Sequence, residues 1–119
     1  MNYNQKVGRF GEKIACDYLI KKGYKIINQN IKISFQEIDI ISRQGKMLVF
    51  VEVKTRTNLN YGEAEDVVGE VKINNLKRAI QGYLVANKLS SQNIRLDLIV
   101  IDVIKASKTA KIKHYLDIF

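Results

Sequence analysis

Cysteine is almost missing from this chain: Cys16 stands alone among 119 residues. A single thiol closes no internal disulfide, and such sparing use fits a reducing cytoplasm. Cys16 falls among apolar neighbours in a helical pattern, which marks it as a small buried filler rather than a reactive thiol. Long apolar runs are missing too. None approaches the roughly 20 residues that span a bilayer, and the opening MNYNQKVGRFGEK has no apolar stretch of the kind a secretory signal carries. These absences set the expectation of a cytoplasmic protein with no membrane partner. Histidine occurs once, at His114, read as a structural or edge-strand group with substrate contact as the alternative. Repeats, linkers and low-complexity tracts are absent, which leaves one domain over residues 1–119.

What is present is ordinary globular material, 46% hydrophobic and 27% charged. The balance of charge is less ordinary. Twenty Lys and Arg stand against 12 Asp and Glu, a net charge of +8, which favours a polyanionic partner. Nucleic acid leads, because no basic amphipathic helix stands apart from the core to suit an anionic membrane.

Against that basic background, residues 36–54, QEIDIISRQGKMLVFVEVK, plant acids inside apolar strands. The stretch reads as two strands turning over Arg43-Gln44-Gly45-Lys46, with Gly45 supplying a positive φ. Ser42 then pairs with Met47, Ile41 faces Leu48, Asp39 faces Phe50 and Glu37 faces Glu52. Alternation puts Glu37, Asp39 and Ile41 on one face and Gln36, Ile38 and Ile40 on the other. Leu48, Phe50, Glu52 and Lys54 share a face, opposed by Met47, Val49, Val51 and Val53. Asp39 and Glu52 become diagonal neighbours about 7–8 Å apart, with Lys54 one step further along. Like charges so placed destabilise a sheet unless something neutralises them. Two carboxylates, a nearby backbone carbonyl and waters suit Mg²⁺ or Mn²⁺, and Lys54 adds a donor for a water or a phosphate. The alternative is a solvated polar face with Lys54 paired to a carboxylate; the flanking apolar residues argue against it.

Elsewhere the periods are plain. A first helix runs from about Asn2 or Asn4 to Lys22 on a stripe of Val7, Phe10, Ile14 and Tyr18, and Gly23 stops it. Glu12 falls at the stripe's edge beside Gly8, Ala15, Cys16 and Leu19, whose small members allow close approach to a sheet. Spacing leaves Glu12 two readings, a further carboxylate for the cluster or an exposed partner of Arg9 or Lys13. Residues 24–33 form the first strand. After Lys54 comes a polar loop in which Thr55 and Arg56 leave the strand well placed for a phosphate backbone. Tyr61-Gly62 either stacks on a base or closes that loop. A second helix runs from Asp66 or Glu70 to Lys88 on Leu76, Ala79, Ile80, Tyr83 and Leu84. Lys72 lies on the same stripe and should snorkel towards the helix N-terminal end, nearest the loop after Lys54, as a phosphate contact; Lys77, Arg78 and Lys88 read as surface charge. Residues 93–104 form a strand buried on both faces. Its Arg95 and Asp97 form a structural ion pair, a metal role for Asp97 being the weaker alternative. A basic turn and a short strand over residues 112–118 close the chain.

Asp39 followed by Glu52-Val53-Lys54 resembles the D…(D/E)-x-K signature of PD-(D/E)XK nucleases. The wider set is more specific: Gly11-Glu12, Glu37-Ile38-Asp39-Ile40-Ile41, Val49 through Arg56, Tyr61-Gly62, Arg95-Leu96-Asp97 and Ile112-Lys113-His114 through Phe119. Over nearly its whole length the chain resembles the YraN-like family, small bacterial proteins related to Holliday-junction resolvases. It has Gln36 where that family usually has Gly, which leaves the metal set intact, and Ile38 rather than Pro before Asp39. The element order α-β-β-β-α-β plus a short final strand supports α/β or α+β equally. The resemblance selects a restriction-endonuclease-like core, a mixed sheet flanked by helices. It also implies a metal-dependent nuclease acting on phosphodiester bonds in DNA. Asp39, Glu52 and the Val53 carbonyl would hold Mg²⁺ or Mn²⁺, Lys54 would position the attacking water, and Glu12 and Glu37 would complete the shell. Thr55, Arg56 and Lys72 would meet the backbone. Branched DNA and a two-fold homodimer would suit that kinship. Two rivals share the pattern: a nucleic-acid-binding or repair-accessory module with little turnover, and an RNA-processing nuclease.

Overall fold

Five strands in the order β1-β2-β3-β4-β5 make one sheet, in a computed structural model that describes residues 2–57, 68–90 and 93–119. Tyr61-Gly62 and a helix start at Asp66 lie outside the described residues. The elements are α1 (Tyr3–Lys21), β1 (Lys25–Ile33), β2 (Gln36–Gln44), β3 (Met47–Arg56), α2 (Glu70–Ala86), β4 (Ile94–Ile104) and β5 (Thr109–Tyr115). The β3–β4 pair is parallel and the other pairs are antiparallel. This is the mixed α/β sheet, with helices on its faces, that a restriction-endonuclease-like core requires.

Local chemistry explains where α1 begins and ends. The Asn2 side chain accepts from the Gln5 N–H while the Gln5 side chain accepts from the Asn2 N–H, so two otherwise orphaned donors are satisfied reciprocally. Gly23 takes a φ of 93° just past the helix end, a conformation that costs an L side chain dearly. The buried face of α1 is Gly11, Ala15, Cys16 and Leu19. Phe10, expected on the apolar stripe, is 53% exposed. The reason is proximity: a Cβ on Gly11 would overlap Thr55 Oγ1 and sit 2.9 Å from Thr55 Cβ. The helix therefore meets the sheet along its smallest residues, and the bulkier ones ride at the sides.

Both sheet faces are covered. Under α1 lie Ile40, Val49, Val51, Ile99 and Ile101, and under α2 lie Ile41, Phe50 and Leu96 with Leu76, Ile80 and Leu84. Burial of both faces accounts for the unbroken apolar run in β4.

The hairpin of β2 and β3 differs from its expected register. Gln44 pairs with Met47, Ile41 with Phe50 and Ile40 with Val51, two residues along from the pairing of Ser42 with Met47. Gly45, at φ 59°, is the first residue of a two-residue turn, the tightest connection such a hairpin allows. A shift of two keeps the paired side chains on their faces, but Phe50 now pairs with Ile41 rather than Asp39, and the ladder ends at Ile40↔Val51, short of Asp39 and Glu52. Alternation also fails locally at Asp39. Ile38 packs with Ile41 under α2, whereas Ile40 packs under α1. The last strand is shifted as well. Pairing of β5 starts at Ile104↔Thr109, because the tight turn closed by the Lys108 N–H on the Lys105 carbonyl returns the chain early.

Candidate metal and nucleic-acid site

The β2–β3 ladder stops at Ile40↔Val51, and the two strands part at the point where the acids lie. Beyond it the Val53 N–H donates to Asp39 Oδ2 at 2.8 Å, so a carboxylate closes the gap that backbone pairing leaves. Glu52, only 7% exposed, stands beside Asp39. From the other side α1 delivers Glu12, brought within reach by the contact of Gly11 with Thr55. Carboxylate oxygens of Glu12, Glu37 and Asp39 lie within 4.8 Å of one another. One cleft is lined by Glu12, Asp39, Glu52, Val53, Lys54 and Lys72.

The electrostatics follow from the crowding. Burial first, then a hydrogen bond and charge from Glu52, push Asp39 up to about 9 despite the favourable Val53 N–H. Glu12 is also raised, by burial that outweighs Arg9. Two cations lean on the cluster without cancelling it. Arg9 pairs with Glu12 at 3.1 Å, and Lys72 Nζ lies 3.3 Å from Glu52 Oε2. Glu12 therefore keeps Arg9 as its helix-edge partner, but it is half-buried rather than exposed, and its carboxylate lies close to Glu37 and Asp39. The donor set is all oxygen, half-buried at Glu12 and Glu37 and buried at Asp39, and it carries more acids than nearby cations, which suits a hard divalent cation.

Thr55 and Arg56 are placed otherwise than expected. The Thr55 hydroxyl is buried under Gly11 with no hydrogen-bond partner among the described residues. Arg56 grips Asp102 with both prongs, Nε to Oδ1 at 2.7 Å and Nη2 to Oδ2 at 3.1 Å. Its fork is occupied by a carboxylate that sequence reasoning passed over, Asp102, which is 1% exposed. Lys54 is exposed at the cleft, and Lys72 reaches Glu52.

Behind the cleft, Asp97 organises a separate buried network. Arg95 holds it at 2.8 and 2.9 Å, His114 Nε2 sits 2.8 Å away, and the Asp117 N–H adds a fourth bond. Burial alone would raise Asp97, but these bonds outweigh it and hold the carboxyl below its ordinary range. His114 also contacts Tyr18 Oη at 3.1 Å. Arg95, Asp97 and His114 are thus structural, tying the C-terminal tail to β4. No helix among the described residues is long and apolar enough to cross a membrane.

The model of uncharacterised protein family UPF0102 matches residues 11–101 of the chain. A UPF0102 protein of Flavobacterium psychrophilum is 40% identical over 119 residues, covering 100% of this chain and 98% of the relative. One from Syntrophotalea carbinolica is 39% identical, covering 97% and 93%. Among solved structures, Pyrococcus furiosus SfsA in complex with Ca²⁺ overlaps 95% of this chain and 64% of its own at 12% identity. Its TM-score of 0.46 carries no argument.

Proposed function

The chain belongs to uncharacterised protein family UPF0102, which is the YraN family of restriction-endonuclease-like proteins, and from that premise we propose that it is a metal-dependent nuclease hydrolysing phosphodiester bonds in DNA. One observation carries the reading. Glu12, Asp39 and Glu52 line one cleft beside an exposed lysine, and a carboxylate oxygen of Glu37 lies within 4.8 Å of those of Glu12 and Asp39. Buried acids this close cannot all ionise unless a cation joins them.

Asp39, Glu52 and the Val53 carbonyl would hold Mg²⁺ or Mn²⁺, with Glu12 and Glu37 completing the oxygen shell. When bound, such an ion supplies a more acidic attacking water and offsets charge on the scissile phosphate. The chain does the rest. Asp39 is locked by the Val53 N–H, so its free oxygen is fixed before substrate arrives. Lys54 orients the attacking water and steadies the charge that develops on phosphorus. Lys72, which pairs with Glu52 at the edge of the cleft, would also be in reach of a substrate phosphate. Arg56 acts at one remove, by bracing β3 against β4 through Asp102. Branched DNA is the substrate the family kinship favours, and a two-fold dimer would cut two strands together.

The accessory-module reading has one observation in its favour: Arg9 and Lys72 already part-neutralise the cluster. Cleavage of duplex, flap, four-way and RNA substrates across a Mn²⁺ titration separates the readings. Mn²⁺-dependent products are expected on DNA, with a loss of at least about 100-fold in Asp39→Asn, since removing one essential group typically costs that much. Lys54→Ala should lose cutting while keeping most of its DNA affinity. DNA binding with no metal-dependent product, unchanged by Asp39→Asn, would favour the accessory module.

A further inference from the structure

At the far end of β2 from its turn with β3, the β1–β2 hairpin ends in an aromatic ring held out in solvent. Phe35 is 98% exposed, the highest value of any large apolar side chain described. It sits at a two-residue turn between Ile33 and Gln36, where Ser34 takes a φ of 57°. Small polar residues normally serve such turns, and a ring there buries nothing in the fold. The tip is nonetheless braced. Ile33 Cγ2 lies 3.0 Å from where a Cβ on Gly82 of α2 would be, so the hairpin end rests directly on that helix.

Between the tip and α2 is a hollow of about 350 Å³ lined by Phe35, Gln36, Asn75 and Arg78 with no carboxylate in its wall. Arg78 is exposed and makes no ion pair among the described residues. Gln36 spends its amide N–H on the Glu37 carbonyl at 2.8 Å, which leaves its oxygen and the Asn75 amide for a base edge. Phe35 is four residues from Asp39, about 14 Å of strand, or roughly four base steps at 3.4 Å each. Ring, amides and guanidinium on a chain of net charge +8 complement one occupant, a base with its phosphate.

We infer that the β1–β2 tip is a nucleobase platform, with Phe35 stacking on a base left unpaired at a branch or single-stranded stretch and Arg78 holding the adjacent phosphate. The inference rests on the nuclease reading and gives its substrate a shape, because bases inside an intact duplex have no free face to offer.

Fluorescence anisotropy in chelator tests it, with labelled four-way, flapped and fully paired DNA of equal length. Phe35→Ala should bind the four-way and flapped DNA roughly 5- to 100-fold more weakly, the range for losing one stacked base, and the paired duplex within about twofold. Phe35→Trp should bind all three like the wild-type chain. Arg78→Ala should weaken all three alike. If the wild-type chain binds DNA and Phe35→Ala binds branched DNA equally well, the platform is wrong and the nuclease reading stands. Equal loss on the paired duplex, or loss of self-association in sedimentation with DNA binding unchanged, also overturns it. Failure of the wild-type chain to bind any of the three DNAs would remove the platform and the nuclease reading together.

Discussion

Asp39 stands among the acids of the candidate site and carries a cost in stability. Its carboxyl is pushed up to about 9 by burial and by Glu52, while in an unfolded chain it titrates near ~3.9. Between those values the folded chain holds a proton that the unfolded chain has lost, so the number bound is larger in the native state. Stability of the metal-free protein must then fall as pH rises through that window. Glu12, raised by burial, adds to the same slope. Melting temperature in chelator should therefore drop between roughly pH 5 and pH 8. Asp39→Asn should flatten the drop and melt higher at the alkaline end, and Mn²⁺ should recover the loss in the wild-type chain alone. Asp97 behaves oppositely, its lowered carboxyl stabilising the fold above ~3.9. The two acids were both readable as buried charges in the sequence. What separates them is their company: Asp97 has Arg95 and His114, whereas Asp39 has Glu52. Alternation already placed Arg95 by Asp97 and Glu52 near Asp39, and only the His114 contact, made between β4 and β5, left no trace in spacing.

At the scale of elements, α1 sets the depth of the cleft. Gly11 lets the helix touch β3 at Thr55, and Glu12 follows it in. Gly11→Ala would drive a methyl into Thr55, and overpacking of this kind costs about 1–3 kcal/mol. Urea unfolding should show that loss, with Mn²⁺ affinity weakened as Glu12 retreats, and Thr55→Ala should recover part of both by removing Oγ1. The close approach was legible as a run of small residues around Glu12. The contact itself was not, because it joins residues far apart in the chain. The β2–β3 hairpin shows a similar limit. Its strands, its faces and its acids follow from alternation, but a four-residue and a two-residue turn both fit Arg43-Gln44-Gly45-Lys46. Register was decided by Gly45 at φ 59°, and with it the ending of the ladder just short of Asp39 and Glu52. Arg56 was misjudged because its partner, Asp102, comes from β4, and parallel pairing of Arg56 with Asp102 leaves no local trace in the sequence.

For the molecule as a whole, net charge and the family signature were the readable quantities, and both bear on the proposed dealings with nucleic acid. Several acids are sequestered: Asp39, Glu52, Asp97 and Asp102 are all no more than 9% exposed. The outer surface is accordingly more basic than +8 suggests. Binding to duplex DNA in chelator should weaken by at least about 100-fold between ~50 and ~200 mM salt, as counterion release requires when several phosphates are contacted. A flat salt profile in the same titration would mean that phosphates contribute little.

The parting of β2 from β3 has a temporal side. The contact of Val53 with Asp39 spans 14 residues, whereas that of Arg56 with Asp102 spans 46. Short loops close sooner than long ones, so the hairpin's acids meet while water still screens them, and shelter arrives later with β4. Mn²⁺ present during dilution from denaturant should then be captured before the sheet is complete and quicken renaturation. In stopped-flow traces Asp39→Asn should lose that acceleration.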